Sequence, residues 1–272
     1  MMNLRSKPYN INAIAGIFIA LLILSLWIAS LVLFLFVDMS KLAIWEVAIA
    51  VVVRTFLHTG LFITAHDAMH GTVFPKHRKM NDVIGSITTT VYAFLSYQAL
   101  VKKHRLHHRY PASSNDPDFF GSDRGNSHID PGNAPQDKLW TWYFKFMQGY
   151  LHGKQLWIVL IGIVLVFSVL SLGCHIAIGN LLLFWILPML CSSVQLFYFG
   201  TFLPHRRLDK GYGDRHRARS TNYSRFWSFV TCYHFGYHWE HHENPHLPWY
   251  KLPSARCEVL SSQIQRRAIL KY

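Results

Sequence analysis

Three short windows of the chain read His66-Asp67-Ala68-Met69-His70, His104-Arg105-Leu106-His107-His108 and His238-Trp239-Glu240-His241-His242. They hold eight of the seventeen histidines in 272 residues, a clustering that a surface charge patch built from Lys and Arg would not produce. On a helix, spacings of i+3 and i+4 bring side chains to one face, so each window is expected to present two or three imidazoles in one direction. Imidazole is the commonest biological metal ligand and suits iron, zinc, copper and nickel. Eight ligands exceed what one ion takes, which implies a site for two metals. Magnesium and calcium want oxygen ligands. The four cysteines, Cys174, Cys191, Cys232 and Cys257, have no metal spacing, so iron–sulfur and soft-metal sites are excluded. Zinc hydrolases need three ligands and a water. Two metals on eight or more neutral imidazoles suit redox chemistry with O2 better, with a modest preference for iron.

The elements that position these windows are apolar. Charged residues make up only 15% of the chain, against roughly 25% in soluble domains, which points to a membrane protein. Four stretches are expected to span a bilayer: 13–37, 42–66, 156–178 and 181–203. Within the second lie Glu46, Arg54 and His58, and Arg54 reads equally as a functional group or as a buried structural partner. The last two spans are separated only by Gly179-Asn180, with Pro188 expected to kink the second of them. Residues 83–101 are uncharged and long enough to cross, but a crossing would put the first two windows on opposite faces. They are therefore expected to form a re-entrant or interfacial helix. The expected fold is all-α and membrane-integral, one domain over 1–272, with four transmembrane helices and a cap of residues 67–155 and 204–272 carrying a histidine-rich di-metal site. Of the 27 Lys and Arg, 25 fall on the face that holds both termini and all three windows. The positive-inside rule makes that face cytoplasmic.

The windows, their order and their place after paired spans resemble the integral-membrane fatty acid desaturase and hydroxylase superfamily. The finer pattern resembles its bacterial β-carotene ketolase branch. It is carried by Phe62–Gly71, by His107-His108-Arg109-Tyr110-Pro111, by Asp116-Pro117-Asp118-Phe119, by Phe199-Gly200-Thr201-Phe202-Leu203-Pro204-His205-Arg206 and by Phe235-Gly236-Tyr237 before the third window. The resemblance covers about residues 55–255. It implies that His66, His70, His104, His107, His108, His238, His241 and His242 are catalytic iron ligands. It also implies a ligand just past the last span, where His205 stands; His234, at i−4 from His238, is a rival or an addition. Asp67, Asp116, Asp118 and Glu240 are expected to orient ligand imidazoles, since metal-bound His commonly donates its other N–H to a carboxylate. Turn capping is an equal reading for Asp116 and Asp118, and His246 is expected to stand behind the ligands. The chemistry implied is O2 reduced at two Fe2+ ions, hydroxylation of an unactivated C–H twice at one ring carbon, and loss of water to a ketone.

No heme segment or flavin motif is present, so electrons are expected from an external donor such as ferredoxin. The run Arg206, Arg207, Lys210, Arg215, Arg217 and Arg219 suits either an acidic electron-transfer protein or, more simply, membrane lipid headgroups. The leading substrate is a carotenoid or another lipid-soluble molecule, and the competing enzyme is an acyl-lipid desaturase or hydroxylase. A metal transporter would place ionisable residues in several spans, whereas three of these four carry no Asp, Glu, Lys or Arg. The basic charge comes with no nucleic-acid-binding motif, so no nucleic acid is expected as a partner.

Overall fold

The computed structural model describes residues 13–120, 138–206 and 212–269, and among these there are helices and no strands. The N-terminal arm with Arg5 and Lys7, the turn-rich stretch 121–137, and Arg207 and Lys210 lie outside the described residues. Four helices are long and apolar enough to cross a membrane: Ile14–Leu35 within α1 (Ala13–Leu35), α2 (Ile44–His70), α6 (Gly153–Gly173) and α7 (Ile178–His205). Their outward faces carry Leu21, Val32, Ile161, Val164 and Leu165 in the open, the composition expected of surfaces facing lipid.

The second span runs four residues further than expected, so the first histidine window forms the last turns of α2 itself. Glu46 belongs to its first turn, where the carboxylate accepts from the Ala43 N–H at 2.7 Å and caps the helix. Gly71, at φ 75°, ends α2 immediately after His70 in a left-handed cap that glycine adopts without strain.

α3 (Arg78–Ala93) returns along α2, and α4 (Tyr97–Arg109) turns back toward the starting face. Phe94, at φ 55°, makes the reversal, and Ser96 caps α4 by accepting from Ala99 N–H at 3.4 Å. Residues 83–101 thus form a helical hairpin. His58 Nε2 bonds the Tyr92 carbonyl at 2.9 Å low in the bundle, while His70 and His104 meet at the top. The crossing from α3 to α4 is tight because Gly85 has no side chain: a Cβ there would lie 2.1–2.6 Å from three ring atoms of Tyr97.

Two expectations about the second hairpin are corrected. Its turn lies at residues 174–177, not at Gly179-Asn180; His175 takes φ 54° and the Ile176 N–H closes onto the Leu170 carbonyl. Asn180 is instead a helical residue. Its amide donates to the Phe34, Leu35 and Val37 carbonyls at 2.8–3.2 Å, satisfying the end of α1. Pro188 and Pro204 are each preceded by a five-residue π-helical turn, Leu182–Ile186 and Tyr198–Phe202. The wider turn makes room for the proline ring. Consequently Leu203 remains right-handed helical and α7 continues to His205, two residues past the expected end of the last span at 203.

The structure decides between the two readings of Arg54. It is wholly buried. Nε donates to the Phe184 carbonyl at 2.9 Å, and Nη1 donates to the Trp27 carbonyl and the Ser30 hydroxyl at 2.7 and 2.8 Å. Phe184 lies four residues before Pro188, which has no N–H to offer it. Arg54 replaces that missing donor and ties α1, α2 and α7 together, a structural role.

Candidate metal centre

α2, α4, α7 and the short α9 (His238–Glu243) converge at one end of the bundle, and the nine imidazoles they bring there sort into two groups. His66, His70, His104, His108 and His241 form one; His107, His205, His238 and His242 form the other. Within each group the candidate ligand atoms lie within 4.8 Å of one another. Nε2 of His70 and His104 are 2.7 Å apart, His108 and His241 2.9 Å, and His242 is 3.1 Å from both His107 and His238. With metal–nitrogen bonds of about 2.1 Å, adjacent ligands of one ion stand about 3.0 Å apart and opposite ones about 4.2 Å. The spacing therefore fits an ion at each centre. His66 Nε2 and His205 Nε2 are buried with no hydrogen-bond partner, as lone pairs reserved for a metal would be.

The grouping revises the expectation that each window points one way. Successive helical residues are rotated by about 100°, so His107-His108 and His241-His242 each send one ring to either group. His108 and His242, from opposite groups, stack with centroids 4.3 Å apart.

Electrostatics prepare the rings as ligands. Burial, and then mutual repulsion among neighbours, holds His104, His108, His238, His241 and His242 well below the usual imidazole range, so they are neutral. His107 is the exception. Burial would lower it, but the Asp116 carboxylate, 3.0 Å from Nδ1, raises it. Asp118 Oδ2 lies 3.8 Å from the same nitrogen, and its other oxygen accepts from Tyr150 Oη at 2.5 Å. Burial, with Asp116 beside it, pushes Asp118 up to about 6 despite His107. Asp116 also accepts from the Ala112 and Asp118 N–H groups at 2.8 and 2.9 Å, so turn capping and imidazole orientation are both present in one carboxylate. His205 Nδ1 donates to the Arg217 carbonyl at 2.9 Å, which turns Nε2 inward.

On this geometry, Asp116→Ala should weaken metal binding by about 10–100-fold, measured by titration of apo protein in detergent. Asp116→Asn, which keeps an acceptor oxygen for one of the two N–H groups, should lose less.

Three expected residues fall elsewhere. His234 joins neither group. The i−4 relation to His238 assumed a continuous helix, but Tyr233 and His234 take φ 46° and 60°, ending α8 (Arg225–Cys232), and the His234 ring stacks on Tyr237 at 5.6 Å. Glu240 meets no imidazole: one helical step from His241, it turns to Ser220 and to Arg256 at 2.9 Å, bracing α9 against α10 (Leu252–Ile269). His246 is exposed beyond the turn at Asn244-Pro245. Asp67 lies 3.7 Å from His66 Nδ1 and accepts from the Trp249 N–H at 3.1 Å.

Both groups open onto one apolar cavity with about 820 Å³ of empty space, its mouth included. His66, His104, His107 and His238 form its floor, and Phe62, Leu100, Leu196 and Phe235 its walls, with Phe146, Met147 and Tyr150 from α5 (Leu139–Tyr150). α5 also buries Trp142, whose indole donates to the Asp118 carbonyl at 2.8 Å, while Trp140 and Phe144 face outward. Tyr150 and the Arg217 carbonyl were missed because neither carries a spacing signal; the meeting of Tyr150 with Asp118 is a tertiary contact 32 residues apart.

Comparison with known proteins agrees with this architecture. The family model for fatty acid desaturases matches residues 42–268. A β-carotene ketolase of Paracoccus sp. (strain PC1) is 39% identical over 203 residues, covering 74% of this chain and 76% of the relative. A β-carotene ketolase of Haematococcus lacustris is 39% identical over 78% of this chain and 62% of its own length. A zeaxanthin 4-ketolase of Chlamydomonas reinhardtii is 38% identical over 79% of this chain and 44% of its own. Four apolar helices, a convergent imidazole centre and these matches together make the chain an integral membrane oxidoreductase that belongs to the fatty acid desaturase family, alongside the β-carotene ketolases.

Proposed function

We propose that the chain is a di-iron, O2-dependent oxygenase, a single domain over residues 1–272, that installs a 4-keto group in the β-ionone rings of carotenoids such as β-carotene. One observation carries the reading: two adjacent imidazole groups open together onto one apolar cavity lined by aromatic side chains. The nine histidines of the two groups would hold two Fe2+ ions, which when bound supply O2 reduction and oxidation of an unactivated C–H. The chain itself supplies position and dryness. Phe62, Leu196 and Phe235 exclude water and hold a hydrocarbon ring, while Asp116 and the Arg217 carbonyl fix the tautomers of His107 and His205. Each hydroxylation uses one O2, two electrons and two protons and releases one water. Two at the same carbon give a geminal diol, which loses water to the ketone. Electrons would come from an acidic ferredoxin-like carrier at the face where Arg206, Arg215, Arg217 and Arg219 gather, which the charge bias makes cytoplasmic.

The test is expression in cells that accumulate β-carotene, with pigments resolved by mass and absorption spectrum. New products heavier by the exchange of two hydrogens for one oxygen per ring support the reading. Unchanged β-carotene together with altered acyl chains would instead identify an acyl-lipid desaturase or hydroxylase.

A further inference from the structure

Thr201 lines the same cavity as His107 and His238, in the π-helical turn one turn below His205. Five other helical threonines are bonded within their own helices. Thr55, Thr64, Thr88, Thr89 and Thr231 each donate to the carbonyl four residues back, at 2.6–2.9 Å, the usual way a helix absorbs a threonine hydroxyl. Thr201 makes no such bond. The cavity's remaining side-chain hydroxyls are occupied: Ser193 accepts from Tyr143 and donates to the Leu190 carbonyl, Tyr150 donates to Asp118, and Tyr92 pairs with Ser192. Among the described residues that line the cavity, Thr201 therefore holds the one side-chain hydroxyl with no hydrogen-bond partner. Gly200 beside it allows Phe235 to pack directly on the helix, since a Cβ there would meet that ring at 2.3 Å. The wide turn and the Phe235 ring together fix the segment that carries the hydroxyl.

Resting on the functional reading above, we infer that Thr201 is a positioning residue for the ring hydroxyl installed in the first oxidation. A hydrocarbon ring needs no polar partner in this cavity. Once one C–H has become C–OH, the same cavity holds an alcohol, and an unpaired hydroxyl in apolar surroundings is driven toward release. A second oxidation at that carbon requires the alcohol to stay. Thr201 can accept from it or donate to it at the floor of the cavity, next to the second imidazole group, without competing for a carbonyl of its own. The hydroxyl thus acts on the ratio of ketone to released alcohol.

The experiment compares the parent chain, Thr201→Val and Thr201→Ser in β-carotene-accumulating cells and reads the ratio of 4-hydroxy to 4-keto product, which is independent of protein amount. Val keeps the shape and removes the hydroxyl, so the alcohol-to-ketone ratio should rise about threefold to tenfold, the worth of one hydrogen bond. Ser keeps the hydroxyl and should restore the parent ratio. An unchanged ratio in Thr201→Val, whether total product falls or not, overturns the assignment, as does an equal rise in both variants. If Thr201→Val does not accumulate in the membrane, Thr201→Ala against Thr201→Ser gives the same comparison. A parent chain that makes no oxygenated carotenoid at all would overturn the functional reading itself, and this assignment with it.

Discussion

Purified His205→Ala protein is expected to carry about one iron per chain where the parent carries about two, and to make no measurable ketone. The second imidazole group has only four members, and His205 is the one supplied from a transmembrane helix. Its Nε2 is buried and unpartnered, and its ring is held by the Arg217 carbonyl. Because α7 continues through Pro204 on a π-helical turn, the ligand is delivered by the end of a continuous helix. The loss should exceed the 10–100-fold typical of residues that merely support a ligand. His234→Ala should retain activity and both metals, since its ring packs on Tyr237 away from either group. Metal analysis of the two variants decides the matter: a full metal complement and near-parent activity in His205→Ala would remove it from the ligand set.

Gly85→Val should abolish activity from a position in none of the histidine windows. The new side chain would occupy the space of the Tyr97 ring, whose atoms lie 2.1–2.6 Å from where a Cβ would sit. Tyr97 is almost fully buried and begins α4, the helix that delivers His104, His107 and His108. Relief of the clash requires α4 to move, and a shift of about 1 Å at a metal site is enough to lose its geometry. The overpacking alone costs about 1–3 kcal/mol. The double substitution Gly85→Ala with Tyr97→Leu should recover metal content and activity relative to Gly85→Ala, because the smaller side chain vacates the contact. Lack of recovery, with both proteins present in the membrane, would place the fault elsewhere.

Much of the architecture was legible in the chain because it is written in local patterns. The four spans follow from runs of uncharged residues, and the hairpin over 83–101 follows from the need for His66 and His104 to meet on one face. The nine histidines of the two groups were all named from spacing and resemblance. What escaped was what depends on helix phase or on distant contact. The division of His107-His108 and His241-His242 between groups depends on rotation about a helix axis, and Glu240 was misassigned for the same reason. His234 was misplaced because nothing in Tyr233-His234 signals two successive left-handed residues. The π-helical turns at 182–186 and 198–202 have no composition of their own, so nothing marked the last helix as running through Pro204 to His205.

The Arg54–Phe184 bond bears on the order in which the chain is made and inserted. α2 leaves the ribosome more than a hundred residues before α7 and brings a guanidinium into the bilayer with only α1 to receive it. α7 then arrives with a carbonyl that its own proline leaves without a donor. A lone charge and a lone carbonyl are each disfavoured in hydrocarbon by several kcal/mol, and each is relieved by the other. The two halves of the bundle therefore carry matching defects, and a nascent chain whose late hairpin inserts out of register would keep both exposed to lipid. The full set of Arg54 bonds thus closes only when the last helix has joined the first two.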